Sequence, residues 1–289
     1  MQESWVIAVD LDGTLLRSDH TISAANKQTL SAAIDLGYTV IIATGRPLRT
    51  ALRYHRELGL KTPLITLNGS MIWDQGCARV LSQAPISLDS TDKLTAIAEK
   101  LGGFALLAEV GMTCYQVPFH SSLRWTEEMK DFYQAAILSD DLSDSQRDWA
   151  VGTRLPESPC SLLLSVPRER HESFFTMASA LSLHDVQCRA WHEPHTIIEV
   201  MAHGVSKATA LQTVKRYLDV DSARVIAFGD ELNDTDLLRT ADIGVAMGNA
   251  NPELVAHASD STASNNDDGV ARYLHQFFSF SLQSSMPPV

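Results

Sequence analysis

Five short, mainly apolar runs constrain this chain more than anything else in it. They are Trp5–Val9, Tyr38–Ala43, Pro63–Leu67, Arg224–Phe228 and Ile243–Met247. None alternates apolar with polar residues, so each reads as a strand buried on both faces, as strands of a parallel sheet are. Helical stretches separate them. Thr21–Gly37 has Ser23 as its N-cap, apolar positions at Ala24, Leu30, Ala33 and Ile34, and Gly37 as its stop. Pro47–Leu58, Ser206–Leu218, Asp234–Thr240, Pro252–Ala258 and Val270–Phe278 read as helices in the same way. The strand–helix–strand rhythm predicts an α/β fold, a parallel Rossmann-like sheet flanked by helices.

The middle of the chain breaks this rhythm. Gly103–Leu107, Thr113–Val117, Ser161–Val166, Gln187–Trp191 and Thr196–Met201 read as half-buried strands, and Arg168–Ser182 as an amphipathic helix. An antiparallel sheet with helices on one side fits them. The expectation is a core of residues 1–83 and 196–289, interrupted by an inserted α+β cap over 84–195. The stretch after about Leu282 is expected to fray.

Composition narrows the classes. The 289 residues are 45% hydrophobic and 20% charged, which supports a full globular core without disulfides or structural zinc. Cys77, Cys114, Cys160 and Cys188 form no C-x-x-C pair and read as free thiols. A net charge of -12, with no cluster of Lys or Arg, disfavours nucleic acid as a partner. The start MQESWVIAVD has no basic, apolar leader, and no run is long enough for a membrane span. A cytoplasmic protein with no membrane association and no obligatory protein partner is expected.

The chemistry-bearing residues cluster where the apolar runs end. Asp10-Leu11-Asp12-Gly13-Thr14 follows the first. On an extended segment Asp10 and Asp12 would face the same way, so two carboxylates could divide nucleophilic or metal-binding work from proton transfer. Thr44-Gly45-Arg46 follows the second run, where a hydroxyl and free amides suit phosphate oxygens and also suit a helix cap. Asn68-Gly69-Ser70 follows the third, and fits either a substrate contact or an ordinary turn. Gly229-Asp230-Glu231-Leu232-Asn233-Asp234 follows the fourth; its oxygen ligands suit a hard cation such as Mg²⁺, while Asn233 or Asp234 could instead cap the next helix. Lys207 opens a helix, where the dipole prefers anions, so it is either an exposed lysine or a sign of a bound anion. Gly248-Asn249-Ala250-Asn251 reads as a structural turn. In open parallel sheets, ligands bind beyond the carboxyl ends of the strands, which is where all these groups fall.

On these motifs, taken in order and closed by Asn265-Asn266-Asp267-Asp268-Gly269-Val270, the chain resembles the haloacid dehalogenase superfamily, and within it the Cof-type phosphatases with a large α/β cap. The resemblance covers about 1–83 and 196–280 and says little about the cap. It implies that Asp10 attacks phosphorus and forms an aspartyl-phosphate. Asp12 would protonate the leaving oxygen and then activate water. Thr44, Gly45, Arg46, Asn68, Lys207 and Asn233 would bind phosphate or substrate. Asp10, the backbone carbonyl of Asp12 and Asp230 would hold Mg²⁺. Ala208 stands where the family commonly has glycine.

The reading is therefore a Mg²⁺-dependent phosphatase of small phosphorylated metabolites, either sugar phosphates or phosphorylated cofactors. A phosphomutase on the same scaffold is the alternative. A phospho-accepting signalling receiver is disfavoured by Asp12 and the inserted segment, and a non-catalytic binding protein by the intact acidic set. Arg189, Trp191, His192 and His195, near the return crossing, fit either a substrate contact from the cap or, as the more ordinary reading of each, a structural, surface or hinge role.

Overall fold

The computed structural model of the chain describes residues 4–116, 146–148, 154–191 and 197–278. The first half supplies β1 (Trp5–Val9), α1 (Ala24–Asp35), β2 (Thr39–Ile42), α2 (Leu48–Glu57), β3 (Leu64–Thr66), β4 (Met71–Trp73) and β5 (Val80–Gln83). Then come α3 (Leu88–Lys100), β6 (Phe104–Val110), β7 (Thr113–Gln116), β8 (Gln146–Asp148), β9 (Ser161–Ser165), α4 (His171–Ala180), β10 (Val186–Ala190) and β11 (Ile197–Ala202). The last part supplies α5 (Lys207–Tyr217), β12 (Arg224–Gly229), α6 (Thr235–Thr240), β13 (Ile243–Ala246), α7 (Pro252–Val255), β14 (Asp260–Ser261) and α8 (Gly269–Phe278).

The expected parallel sheet runs in the order β14-β13-β12-β1-β2, with every pair parallel. β1 lies between β12 and β2 and is wholly buried because successive side chains enter different cores. Ile7 and Val9 pack with Leu30, Ala33, Val270 and Leu274 on one face. Val6 and Ala8 pack with Leu211, Val214 and Leu237 on the other. α1 buries a different stripe from the expected one. Leu30 and Ala33 are inside, but Ala24 and Ile34 are exposed, and Asn26 and Thr29 take their places. The reason is tertiary: α1 packs on α8, where Asn26 accepts from the Ala271 N–H and Thr29 bonds His275.

The third apolar run departs from a third full parallel strand. It joins β2 through one parallel bridge, Ala43 to Ile65, and otherwise opens an antiparallel sheet, β3-β4-β5. Positive φ at Leu67, Asn68 and Gly69 turns the chain straight back on itself.

The middle builds a six-stranded sheet, β10-β11-β9-β6-β7-β8. It is antiparallel except for β7 and β8, which pair in parallel. The predicted helix at Arg168–Ser182 begins as a 3₁₀ turn and is helical from His171 to Ala180. α3 was not anticipated, although Ser87 caps it and Leu94, Ile97 and Ala98 bury its inner stripe. α3 and α4 pack on one face of the sheet against Ala108, Leu162, Leu164, Ile198 and Val200. β11 lies inside this sheet, between β9 and β10, so the sheet runs on to Ala202 and past the boundary expected at 195/196. Ile198 and Val200 hold it there by completing the same apolar core. Val117 and the stretch after Leu282 lie outside the described residues.

All four cysteines are free thiols. No helix among the described residues is long and apolar enough to cross a membrane.

Candidate active site

A cleft of about 380 Å³ separates the carboxyl edge of the parallel sheet from the second sheet. Its floor carries Asp10, Asp12, Thr44, Gly45, Arg46, Asn68, Asp230 and Asn233, from four separate loops. Its roof carries Leu107, Glu109, Ser161, Leu163, Arg189, Trp191 and Glu199. The tertiary fold thus gathers eight of the nine candidates into one wall. The ninth, Lys207, lies directly beneath it. Ser70 is buried and does not line the cleft.

Asp10 leaves the end of β1 buried, and its Oδ1 accepts from Lys207 Nζ at 2.6 Å. The segment from Asp10 to Thr14 is not an extended continuation of β1. It winds at once into a wide turn, in which the Leu15 N–H bonds Asp10 O and the Leu16 N–H bonds Leu11 O. Both carboxylates still reach the cleft, through loop geometry rather than strand alternation. Gly13 makes the turn possible. Its φ is +71°, and a Cβ there would sit 2.1 Å from Asp230 Oδ2.

Lys207 is fully buried, which excludes the exposed-lysine reading. Its Nζ also donates to Asp234 Oδ1 at 2.7 Å. Ser206 forms a capping box with Thr209, which fixes the start of α5. Gly69 allows that start to approach closely, because a Cβ there would meet Ser206 O at 2.3 Å. Against the cost of burial, Asp10 and Asp234 hold the ammonium above its usual pKa. Burial pushes the Asp10 carboxyl upward in spite of Lys207, with Asp234 adding repulsion. Asp230 is likewise raised, by burial and then by Asp10 and Asp234, although Thr14 Oγ1 donates to it at 2.9 Å.

Asp234 stands at the start of α6 but makes no side-chain cap there. Its Oδ2 accepts from the Asp230 and Glu231 N–H groups, and its Oδ1 meets the lysine. Asp10, Asp230 and Asp234 each place one carboxylate oxygen within 4.8 Å of the others. Three carboxylates around one ammonium leave two negative charges to balance if all are ionised. Hard oxygen donors in excess of positive charge suit a divalent cation. Asp10 and Asp230 have the freer oxygens, since Asp234 is committed to Lys207 and the backbone.

Asp12 is handled differently. Arg46 Nε donates to its Oδ2 at 2.6 Å and an Arg46 terminal nitrogen to its Oδ1 at 2.5 Å. Burial would raise this carboxyl, but the Arg46 hydrogen bonds, with help from His20, pull it down to about 2. Arg46 was expected to face phosphate; here its fork is on Asp12. Thr44 Oγ1 accepts from the Arg46 N–H at 3.1 Å, fixing the turn that presents it. Asn249 Nδ2 donates to Gly13 O at 2.8 Å, so the Gly248–Asn251 turn props the acidic loop.

Two links across the cleft have no counterpart in the sequence reading. Asn68 Nδ2 donates to both oxygens of Glu199, at 2.9 and 3.2 Å, while its Oδ1 accepts from Asn233 Nδ2 at 2.9 Å. Arg49, on α2, makes two hydrogen bonds to Glu109, at 2.8 and 2.5 Å, with both side chains buried. A signal for the two glutamates existed: each is the sole charged residue in an otherwise apolar strand, Phe104–Val110 and Ile197–Ala202. Arg189 and Trp191 line the cleft; His192 and His195 lie outside the described residues.

A family model described as haloacid dehalogenase-like hydrolase matches residues 7–274. A 5-amino-6-(5-phospho-D-ribitylamino)uracil phosphatase of Bacillus subtilis is 34% identical over 278 residues, 95% of this chain and 98% of that protein. A pyridoxal phosphate phosphatase of Escherichia coli is 27% identical over 93% of this chain and 97% of its own. Among solved structures, a haloacid dehalogenase-like hydrolase of B. subtilis superposes with a TM-score of 0.75 at 25% identity, covering 93% of this chain and 98% of its own.

Proposed function

Because this chain belongs to the haloacid dehalogenase-like hydrolases and is a phosphoric monoester hydrolase, we propose that it acts on small phosphorylated metabolites with Mg²⁺ and through an aspartyl-phosphate. The observation that carries this reading is the trio of Asp10, Asp230 and Asp234 gathered around the buried Lys207. Asp10 and Asp230 would hold the cation, with the Asp12 backbone. When bound, the cation neutralises the carboxylates and lets an anionic phosphoryl group approach them.

Asp10 is the nucleophile. One of its oxygens bonds to phosphorus as the bond from phosphorus to the leaving oxygen breaks. Asp12 gives that oxygen a proton, then takes one from the water that attacks phosphorus and frees Asp10. An Asp12 carboxyl held near 2 by Arg46 is ionised at neutral pH and has no proton to give. A phosphoryl oxygen competes for the Arg46 fork, and Asp12 can carry a proton once that grip loosens. Thr44 and the loop amides supply donors for the remaining phosphoryl oxygens. Charge spreads over those oxygens in the transition state, so preset donors and Lys207 act where the barrier lies.

The second sheet would act as the cap that closes over bound substrate, in a reducing cytoplasm and without a protein partner. The test is a panel of phosphate monoesters with purified protein and Mg²⁺, including the ribitylaminouracil phosphate and pyridoxal phosphate named for the relatives. Release of inorganic phosphate from members of the panel supports the reading. Phosphate returned to a second position of the substrate, without release, would replace it with a mutase.

A further inference from the structure

The roof of the cleft has its own chemistry. Glu199 and Arg189 are cross-strand partners on β11 and β10, so their side chains stand on one face of the sheet with Cβ atoms roughly 4.5–5.5 Å apart. They do not pair with each other. Glu199 accepts from Asn68 and from the Trp191 indole at 3.2 Å, both neutral donors. A carboxylate offers about four acceptor sites, so capacity remains on Glu199. Among the described residues Arg189 has no hydrogen-bond or ion-pair partner, yet it lines the cleft. Leu163 lies opposite Glu199 on β9, and Leu107 opposite Leu163 on β6, which puts an apolar strip beside the polar pair. Glu109, farther along, is already neutralised by Arg49.

Together these features describe a ligand. The two acids and two arginines of this region cancel, so the roof offers no net charge to a charged tail. A group touching both Arg189 and Glu199 must accept from one and donate to the other on neighbouring atoms. The leucine strip accepts a flat apolar surface. It would strand the hydroxyls of a polyol without partners, at a cost in desolvation. We propose that Arg189, Glu199, Trp191, Leu107 and Leu163 form a leaving-group subsite for an uncharged planar heterocycle with a hydrogen-bond donor and an acceptor along one edge. This rests on the phosphatase reading above and narrows its substrate class.

The test compares two esters that differ in the ring alone: 5-amino-6-(5-phospho-D-ribitylamino)uracil and D-ribitol 5-phosphate, with p-nitrophenyl phosphate as a third. The wild-type protein should favour the ring ester by at least about tenfold in kcat/KM. Arg189→Met, on the edge strand of its sheet, should lower the ratio of ring ester to ribitol phosphate by roughly tenfold, and Arg189→Lys by less. Circular dichroism and a melting curve establish that the variants are folded. A ratio near one in the wild type, or the same ratio in Arg189→Met, would overturn the subsite and leave the phosphatase reading intact. Failure to release phosphate from any of the three would bring down both.

Discussion

At the carboxyl edge of the parallel sheet, Asp10, Asp230 and Asp234 surround a single ammonium, Lys207. Across the cleft, Glu109 has a guanidinium of its own and Glu199 rests among neutral donors. Both sides bury carboxylates, but the floor holds more of them than it has cations and the roof does not. An excess of charge in a poorly hydrated place is unstable until something positive arrives. A balanced roof is stable as it stands. On the proposed reading, the floor would recruit a cation and an electrophile, and the roof would hold shape and recognise.

The sharpest way to break that contrast is at Asp10. Asp10→Asn keeps the shape and removes both the proposed nucleophile and one carboxylate. It should lower kcat by at least about a thousandfold, roughly 4 kcal/mol of barrier, with the fold intact. A variant that kept a tenth of wild-type kcat would end the nucleophile assignment.

Chelation tests the excess charge directly. EDTA should abolish phosphate release and Mg²⁺ should restore it, while Ca²⁺, with longer bonds and higher coordination, should inhibit. Full turnover in chelator would mean that Lys207 alone suffices to offset the trio.

The roof should respond in stability rather than chemistry. Arg49→Met leaves Glu109 buried without its partner, which costs about 3–5 kcal/mol in such pairs. The double variant Arg49→Met/Glu109→Leu should recover most of that loss in urea unfolding. If the single variant unfolds at the wild-type midpoint, the roof is not held by charge balance.

A finer distinction lies within the floor. Asp12→Asn should slow hydrolysis of alkyl phosphates by roughly a hundredfold, about 2.7 kcal/mol, as is usual for loss of a general acid. It should spare phosphoryl transfer from p-nitrophenyl phosphate, whose leaving group needs little protonation. Aspartyl-phosphate should then accumulate and be trapped by acid quench. Alkyl and aryl esters both turned over as fast as by the wild type would remove Asp12 from proton transfer.

The parallel sheet was legible because its strands are continuous apolar runs, and burial on both faces writes that directly into sequence. β1 begins and ends where its run does. The third run was less legible, since the residues of β3 suit a parallel strand as well as an antiparallel one, and the turn at Leu67–Gly69 chose. α3 was missed because its polar residues obscure the stripe of Leu94, Ile97 and Ala98. Among the candidate residues, those grouped at strand ends were visible as local motifs. Arg49, Glu109 and Glu199 were not, because each gains its meaning from a residue at least sixty positions away.

The sequence by itself determined the α/β class, the positions of the acidic loops and the family resemblance, because these follow from local hydrophobic period and from short motifs. The tertiary structure alone decided that Lys207 is buried between two aspartates, that Arg46 holds Asp12, and that β11 belongs to the second sheet. Each depends on a contact between segments far apart in the chain, and such contacts leave no local period to read. Chain order lists the charged groups of this cleft; packing decides which of them are paired and which remain in excess.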